Sequence, residues 1–399
     1  RALMSNKLWY KWDEMRRDVN TLCRNITLDK FDPQVIVGLS RGGLTAGVMM
    51  SHWFQKPFKP VKASIRDFPD WEDYMPKKTD ERVLIVDALN MFFRAYIVDP
   101  SLSTNGQPIG GVKGFLKILQ KLIREIKPDR VLIAWDGPNG SKKRKIMDKN
   151  YKAGRSPIRL NRAVRNLTEA EELENKIWQQ TRLFEYLNCL PIMQVLIPET
   201  EADDVISYAV QLPDYHDWEK VIVSNDRDFL QLCNDRTILY RPTKNEIFNR
   251  NKVIEDYGIH PNNMALARAI AGDSSDNLPG VRGVGLSGIK KRLPFLAEED
   301  SFTPEDVIEY CNDFESKLKF YHNIAESKDV IEHNYKMMQL YLPQLSYQGK
   351  DKIKYVVREF ECEFNRIEFL RMMMEDGFGE WDWSELKVKM NSIVADCKN

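Results

Sequence analysis

The sequence is short of histidine, of paired cysteines and of long apolar runs. Five histidines among 399 residues, none at HExxH or HxH spacing, offer too few nitrogen ligands for a histidine-rich zinc site. The six cysteines (Cys23, Cys189, Cys233, Cys311, Cys362 and Cys397) lie far apart with no CxxC. They read as reduced thiols rather than a disulfide or zinc framework. No apolar run approaches the roughly eighteen residues of a membrane span. The start lacks the charged-then-apolar pattern and small-residue cleavage site of a secretory signal, so a cytoplasmic protein is expected. Repeats and low-complexity tracts are missing as well. So is net charge: 59 Lys+Arg stand against 59 Asp+Glu. A zero total argues against a nucleic-acid partner only if the charges are evenly spread, and they are not. What is present is length for two or three domains and 43% hydrophobic residues, which exclude a disordered chain.

Residues 1–74 hold an amphipathic segment (8–23), an apolar β-branched strand (35–38), a tight turn at Ser40, Arg41, Gly42 and Gly43, and a buried helix (44–54). Residues 67–82, polar and carrying Pro69 and Pro76, read as a linker. A second α/β pattern follows. Strands are expected at 83–86, 131–135, 192–197, 221–223 and 237–240, with helices at 114–126, 177–187 and 202–210. Strands alternating with helices imply an α/β fold with a mostly parallel, doubly wound sheet. From about residue 251 the pattern is helical, with no further strand.

In open α/β sheets, sites form beyond the carboxyl ends of the strands. Three expected strands run into aspartate there: Asp87, Asp136 and Asp226, with Asp228 two residues on. Glu201, Asp203 and Asp204 open the helix after the strand at 192–197, and Glu201 and Asp204 are spaced to share one helix face. Each aspartate alone is explained by a turn or a helix N-cap. Seven carboxylates gathered at one edge, Glu201 among them, are not, and they would repel one another unless cations intervened. Oxygen ligands without histidine suit Mg²⁺ or Mn²⁺.

Residues 139–165 contain Lys142, Lys143, Arg144, Lys145, Lys149, Lys152, Arg155, Arg159, Arg162 and Arg165 against the single acid Asp148. Such a segment beside the acidic edge suits a phosphate backbone, whereas a solvated face normally mixes signs. Residues 272–291 (GDSSDNLPGVRGVGLSGIKK) carry Gly280, Gly283 and Gly285, then Lys290 and Lys291. Exposed amides leading into a helix start can bind phosphate oxygens without reading bases.

Six segments carry a resemblance to a known family: 83–96 (VLIVDALNMFFRAY), 134–137 (AWDG), 151–155 (YKAGR), 201–204 (EADD), 224–228 (SNDRD) and 272–285 (GDSSDNLPGVRGVG). In this order, residues 75–399 resemble the flap-endonuclease-like 5′ nucleases, which include the 5′–3′ exonuclease domain of bacterial DNA polymerase I and phage 5′ exonucleases and ribonuclease H. The resemblance implies a catalytic α/β domain of the PIN or Rossmann-like class over 75–250, with a basic helical arch at 137–165. A mainly α region over 251–399 would hold a helix-three-turn-helix, or helix-hairpin-helix, motif. It implies a metal site of Asp87, Asp136, Glu201, Asp203, Asp204, Asp226, Asp228, Asp273 and Asp276, some acting through water, for two or three Mg²⁺ or Mn²⁺ ions. It places Lys152 and Arg155 on the scissile phosphate, with Asp87, Asp136 and Asp226 as the catalytic carboxylates. It assigns DNA contacts to Phe93, Arg94, Lys142, Lys143, Arg144, Lys145, Lys149, Tyr151, Gly280, Gly283, Gly285, Lys290 and Lys291, and a K⁺ ion to the glycine hairpin.

The expected activity is metal-dependent cleavage at 5′ ends of flaps, nicks or RNA primers in replication and repair. The resemblance suggests a monomer of phage or bacterial origin, with a single-stranded-DNA-binding protein as a partner and no membrane. No polymerase domain or clamp-binding motif follows, and residues 300–399 carry no assignable motif. Residues 35–44 (VIVGLSRGGL) resemble the pyrophosphate loop of purine phosphoribosyltransferases, but ALNM follows VLIVD where that family needs DTGxT. With Arg1 rather than Met at the start and a Met at 75, residues 1–74 read as a truncated transferase fragment joined to a nuclease. Two rival readings remain for the rest: a PIN-type ribonuclease, which would lack the arch and hairpin, and a non-catalytic DNA-structure-binding protein.

Overall fold

The computed structural model describes residues 12–28, 33, 36–39, 44–61, 81–154, 158–161, 163–164, 167–314 and 318–397. The turn at 40–43, most of the expected linker, and Arg155, Arg162 and Arg165 lie outside them. The chain divides into two compact units, residues 1–68 and 69–399.

In the first unit, helix α1 (Trp12–Leu28) precedes strand β1 (Ile36–Leu39), helix α2 (Leu44–Phe54) and strand β2 (Phe58–Val61). β1 and β2 are parallel, Ile36 facing Phe58, so α2 is the crossover of a small βαβ motif.

The second unit is built on a six-stranded sheet in the order β5-β4-β3-β6-β7-β8. Its strands are β3 (Arg82–Asp87), β4 (Arg130–Trp135), β5 (Met193–Leu196), β6 (Glu219–Val223), β7 (Thr237–Arg241) and β8 (Glu246–Phe248). All neighbours are parallel except β7 and β8. A parallel sheet is covered by helices on both faces, so its strands are apolar throughout rather than alternating. All six residues of β3 are buried. That includes Arg82, whose guanidinium is neutralised by Glu219 of β6 at 2.7 Å. The chain winds outward from β3 through β4 to β5, then returns to the other side of β3 at β6. The reversal creates a switch point at the carboxyl ends of β3, β4 and β6, where such sheets bind ligands.

The intervening helices are α3 (Ala88–Val98), α4 (Gly110–Ile126), α5 (Lys142–Met147), α6 (Glu169–Asn188) and α7 (Ala202–Val210). α6 starts eight residues before the apolar pattern suggests. Its first turns are polar, and the start is set by a capping box between Thr168 and Glu171. The edge strand β8 escaped the sequence reading because three residues show no period. It is made by a reversal in which Asn245 takes a left-handed φ of 57°.

The helical remainder comprises α8 (Arg250–Tyr257), α9 (Pro261–Ala271), α10 (Leu286–Arg292), α11 (Pro304–Asp313), α12 (Lys319–Ala325), α13 (Lys328–Met338), α14 (Tyr347–Arg358), α15 (Arg366–Glu375) and α16 (Ser384–Cys397). One continuous apolar core runs from Val83 in the sheet through Leu266 and Ile331 to Ile353. The expectation of six reduced thiols is corrected in part. Cys362 and Cys397 form a disulfide, while Cys23, Cys189, Cys233 and Cys311 are free and buried. The pair lies 35 residues apart in sequence and is brought together by folding, which no spacing rule anticipates. Among the described residues, no helix is long and apolar enough to cross a membrane.

Candidate metal and nucleic-acid site

Asp87 ends β3 and caps α3, accepting the Asn90 amide at 3.1 Å. Its other oxygen accepts the Ser224 hydroxyl at 2.8 Å. Ser224 in turn receives the Asp226 amide, and Asp226 receives the Asp228 amide at 2.8 Å. The turn after β6 is thus wound by side chain–backbone bonds typical of Ser and Asp. Asp136 follows β4 and accepts the Ala202 amide at 2.7 Å, fixing the start of α7. Because α7 begins there, Asp203 in its first turn reaches the same region.

The electrostatics show which carboxylates are neighbours. Burial and the charges of Asp136 and Asp226 push Asp87 up to about 7. Burial and the charges of Asp226, Asp87 and Glu201 raise Asp203 well above the usual range, despite an opposing contribution from Lys152. Asp87, Asp136, Asp203 and Asp226 therefore share one region at the switch point.

The other carboxylates are differently situated. Glu201 and Asp204 do converge, but on a cation. The Arg144 guanidinium lies 2.7 Å from each, and all three residues are buried. Glu201 is the N-cap residue of α7 rather than a residue on its face. Lys152 donates to its second oxygen at 2.7 Å and the Tyr151 hydroxyl to its first at 3.1 Å. Burial alone would raise Glu201, but Lys152 and Arg144 hold it below the usual range. Asp204 also accepts the Gln344 amide at 2.8 Å. On the far side, Arg268 of α9 lies 2.6 Å from both Asp228 and Asp273. Burial, helped by Asp226, still lifts Asp228 to about 7. Asp273, which would rise on burial, is held low by Ser275 and Arg268. Asp276 sits beside the turn that follows α5, its carbonyl accepting the Lys152 amide at 3.1 Å.

The basic segment does not present all its cations outward. Lys145 and Lys149 are exposed. Lys142 is exposed but ion-pairs with Glu199. Lys143 donates to the Gln344 carbonyl. Arg144 and Tyr151, expected at DNA, are buried and point into the acidic cluster. Lys152 also reaches that cluster, and Arg155 lies outside the described residues. A cavity of about 730 Å³ opens between Asp136, Lys142, Lys145, Ile146, Lys152 and Glu201. Phe93 and Arg94 are half-buried on α3.

The glycine hairpin is a two-residue antiparallel ladder, Leu278 facing Asp273, between α9 and α10. A Cβ on Gly280 would lie 2.1 Å from the Ala271 carbonyl oxygen, so only glycine closes this ladder. Gly283, at φ 73°, turns the chain toward α10, and it and Gly285 are exposed. Lys291 is exposed too. Lys290, expected at phosphate, donates instead to the Glu255 and Asp256 carbonyls at the end of α8, a favourable place for a cation.

The sequence reading missed Arg268, Asn90 and Asn225. Asn90 accepts both the backbone and side-chain N–H of Asn225. A second cavity, of about 480 Å³, is lined by Asn90, Asn225, Asp226, Arg268 and Asp273. The one available signal was position: Asn90 and Asn225 lie inside the two strand-end motifs, and Arg268 lies one helical turn before Gly272.

Residues 82–258 match a family described as 5′–3′ exonuclease, N-terminal resolvase-like domain. A 5′–3′ exonuclease of Aquifex aeolicus is 27% identical over 64% of this chain and 81% of its own length. A 5′–3′ exonuclease of Buchnera aphidicola is 30% identical over 53% of this chain and 69% of its own. The chain belongs to the 5′–3′ exonuclease family. Its enzymatic class is accordingly that of a 5′–3′ nuclease. A thermostable DNA polymerase I of Thermus thermophilus is 30% identical over 57% of this chain, which spans only 26% of that polymerase. In architecture it is similar to a bacteriophage T5 5′-exonuclease with bound zinc (TM-score 0.53, 18% identity, 74% and 98% of the two chains). It is also similar to a T5 flap endonuclease in complex with DNA and metal ions (TM-score 0.53, 18% identity, 75% and 100%). The likeness of residues 1–74 to phosphoribosyltransferases finds no support in these comparisons, and the turn that carried it lies outside the described residues.

Proposed function

We propose that this chain is a divalent-metal-dependent, structure-specific nuclease. It hydrolyses phosphodiester bonds at the 5′ ends of flaps, nicks or RNA primers in replication and repair. The observation that carries the reading is the group Asp87, Asp136, Asp203 and Asp226 at the switch point, where Asp87 and Asp203 are raised by burial and by one another's neighbours. Repulsion of this kind is relieved by cations, and an all-oxygen donor set suits Mg²⁺ or Mn²⁺. Among the described residues no three His, Cys, Asp or Glu side chains are arranged to hold a metal by themselves. Mg²⁺ does not require that, since it keeps several waters and binds through one or two carboxylates plus substrate phosphate.

Asp87, Asp136, Asp203 and Asp226 would hold the ions, with Asp228 and Asp273 tethered alongside by Arg268. Bound there, divalent cations would polarise the phosphodiester and neutralise developing charge. The chain's own groups do the rest. Ser224 and the backbone turns orient the carboxylates. Lys152, partly open at the cavity, supplies a cation next to where phosphate would lie. The exposed Lys145 and Lys149 attract the backbone by counterion release, and the amides at Gly283 and Gly285 grip it without reading sequence. The carbonyls of the same hairpin would be the place for a K⁺ ion. The functional partner on this reading is DNA, engaged by a single copy of the chain.

The test is cleavage of a duplex bearing a 5′-labelled flap, with Mg²⁺ or Mn²⁺ and with chelator. Metal-dependent release of 5′ product is expected. Binding without cleavage under all metal conditions would favour the non-catalytic reading. Equal cleavage of unstructured single-stranded RNA would favour the PIN-type one.

A further inference from the structure

A third cavity, of about 640 Å³, lies among α15, the strap that follows it and the start of α16. Its lining includes Leu370, Met373, Met374, Phe378, Trp381 and Trp383, and none of the residues discussed above. The aromatic walls are built, not incidental. Trp383 packs on Phe369 with centroids 5.5 Å apart, and Trp381 on Phe378 at 5.6 Å. The strap is pinned by Lys113, whose amine donates to the Phe378 and Glu380 carbonyls, and by the Thr104 amide on the Gly377 carbonyl. Met374 nevertheless remains 82% exposed. A preformed apolar groove left open to water marks an interaction site.

Acids dominate the strap's own charge, and the one lysine that reaches it among the described residues, Lys113, has its amine taken up by the Phe378 and Glu380 carbonyls. Residues 372–386 contain Glu375, Asp376, Glu380, Asp382 and Glu385 and no lysine or arginine. Three of these are answered from outside: Glu375 by Arg371, Asp376 by Arg182 and Glu385 by Arg124. Glu380 and Asp382 line the groove itself, and among the described residues no lysine or arginine ion-pairs with either. Tryptophan walls alone would suit stacked bases as well as a peptide, but the phosphates of a single strand would then face two carboxylates. The sign favours a cation, which both the carboxylates and the tryptophan faces attract.

We propose that this groove docks a basic segment of a partner protein. An apolar side chain of that segment would fill the space between Met374 and the tryptophans, and its lysines or arginines would pair with Glu380 and Asp382. The disulfide from Cys362 to Cys397 brackets every lining residue but Thr104, so the surface forms one cross-linked module.

The experiment uses the full chain and a short fluorescent peptide of lysine, arginine and leucine, read by anisotropy at low and physiological salt. Parallel probes replace leucine by glycine, replace the bases by glutamate, or substitute oligo-dT. Saturable binding of the first peptide alone is expected. Trp381→Ala should weaken it by about tenfold or more. The exposed Glu380→Lys should weaken it several-fold at low salt, and so should Asp382→Lys, read beside Asp382→Asn, which keeps the acceptor for the Ser384 amide and hydroxyl at the start of α16. Flap cleavage should be unchanged in the charge variants. Peptide affinity unaltered in Glu380→Lys and Asp382→Lys overturns the proposal. So does oligo-dT binding that Trp381→Ala removes, or peptide binding that does not need leucine.

Discussion

Two groups of carboxylates stand side by side at the same sheet edge and differ in whether an arginine of the chain reaches them. Glu201, Asp204, Asp228 and Asp273 are held by arginines from outside the sheet, Arg144 in α5 and Arg268 in α9. Asp87 and Asp203 have no such partner among the ion pairs of the described residues, and burial with like-charged neighbours raises both. The first group is paired with the protein's own arginines and does structural work, although burial and Asp226 still lift Asp228 to about 7. It ties the basic segment and the glycine hairpin to the catalytic sheet. The second is left in deficit of positive charge, the condition for recruiting a cation. A site of this kind needs both, because a cluster composed only of the second would not fold around itself without metal.

Predictions follow from trying to break this contrast. The largest effect is expected in the uncompensated group. Asp226→Asn should abolish flap cleavage, by about a thousandfold or more in single-turnover rate, while binding to the duplex by gel shift is retained. A variant cutting near the wild-type rate would place the chemistry elsewhere. In the compensated group the loss should appear as stability. Arg144→Met leaves Asp204 buried without its cation and Glu201 with Lys152 alone, and should cost about 3–5 kcal/mol in urea unfolding. An unchanged midpoint would mean that the pair adds nothing.

Metal addition should separate the groups directly. Mg²⁺ at about a hundredfold over its Kd should stabilise the wild type by about 2.7 kcal/mol. The double variant Asp87→Asn with Asp203→Asn should not respond. An equal response in both proteins would show that the ion binds at another site. Arg268→Met should cost less than Arg144→Met, about 1–3 kcal/mol, because Asp228 and Asp273 retain some access to solvent. At the small end, Lys149→Ala should lower the slope of log affinity against log salt by about one without altering stability. A larger change would mean that this exposed lysine does more than contact one phosphate.

Much of this was legible in the sequence, and the rest was not for identifiable reasons. The apolar runs at 83–86, 131–135 and 221–223 and the acids at their ends fix the sheet edge. The chain supplies that information locally, through β-branched runs and the turn chemistry of Asp and Ser. The edge strand β8, the early start of α6 and the Cys362–Cys397 bond were less visible. Three residues carry no period, a polar first turn hides from a hydrophobic pattern, and a disulfide is a fact of distance. The charges show the limit best. Ten bases against one acid in 139–165 read as a surface facing phosphate, yet Arg144 is buried in the acidic cluster and Lys152 reaches into it. Lys290 likewise caps α8 instead of waiting for a ligand.

By itself, then, the sequence determined the sheet, its carboxylate edge and the family, because strand period, strand-end acids and motif order are properties of short segments. Only the tertiary structure decided which carboxylates are already neutralised and which are left for metal. That depends on whether a cation from a distant helix arrives within about 3 Å, and no local pattern encodes where Arg144 and Arg268 come to rest. The zero net charge conceals the same division: part of the acid is answered by the chain's own arginines, and part is kept unanswered at the switch point.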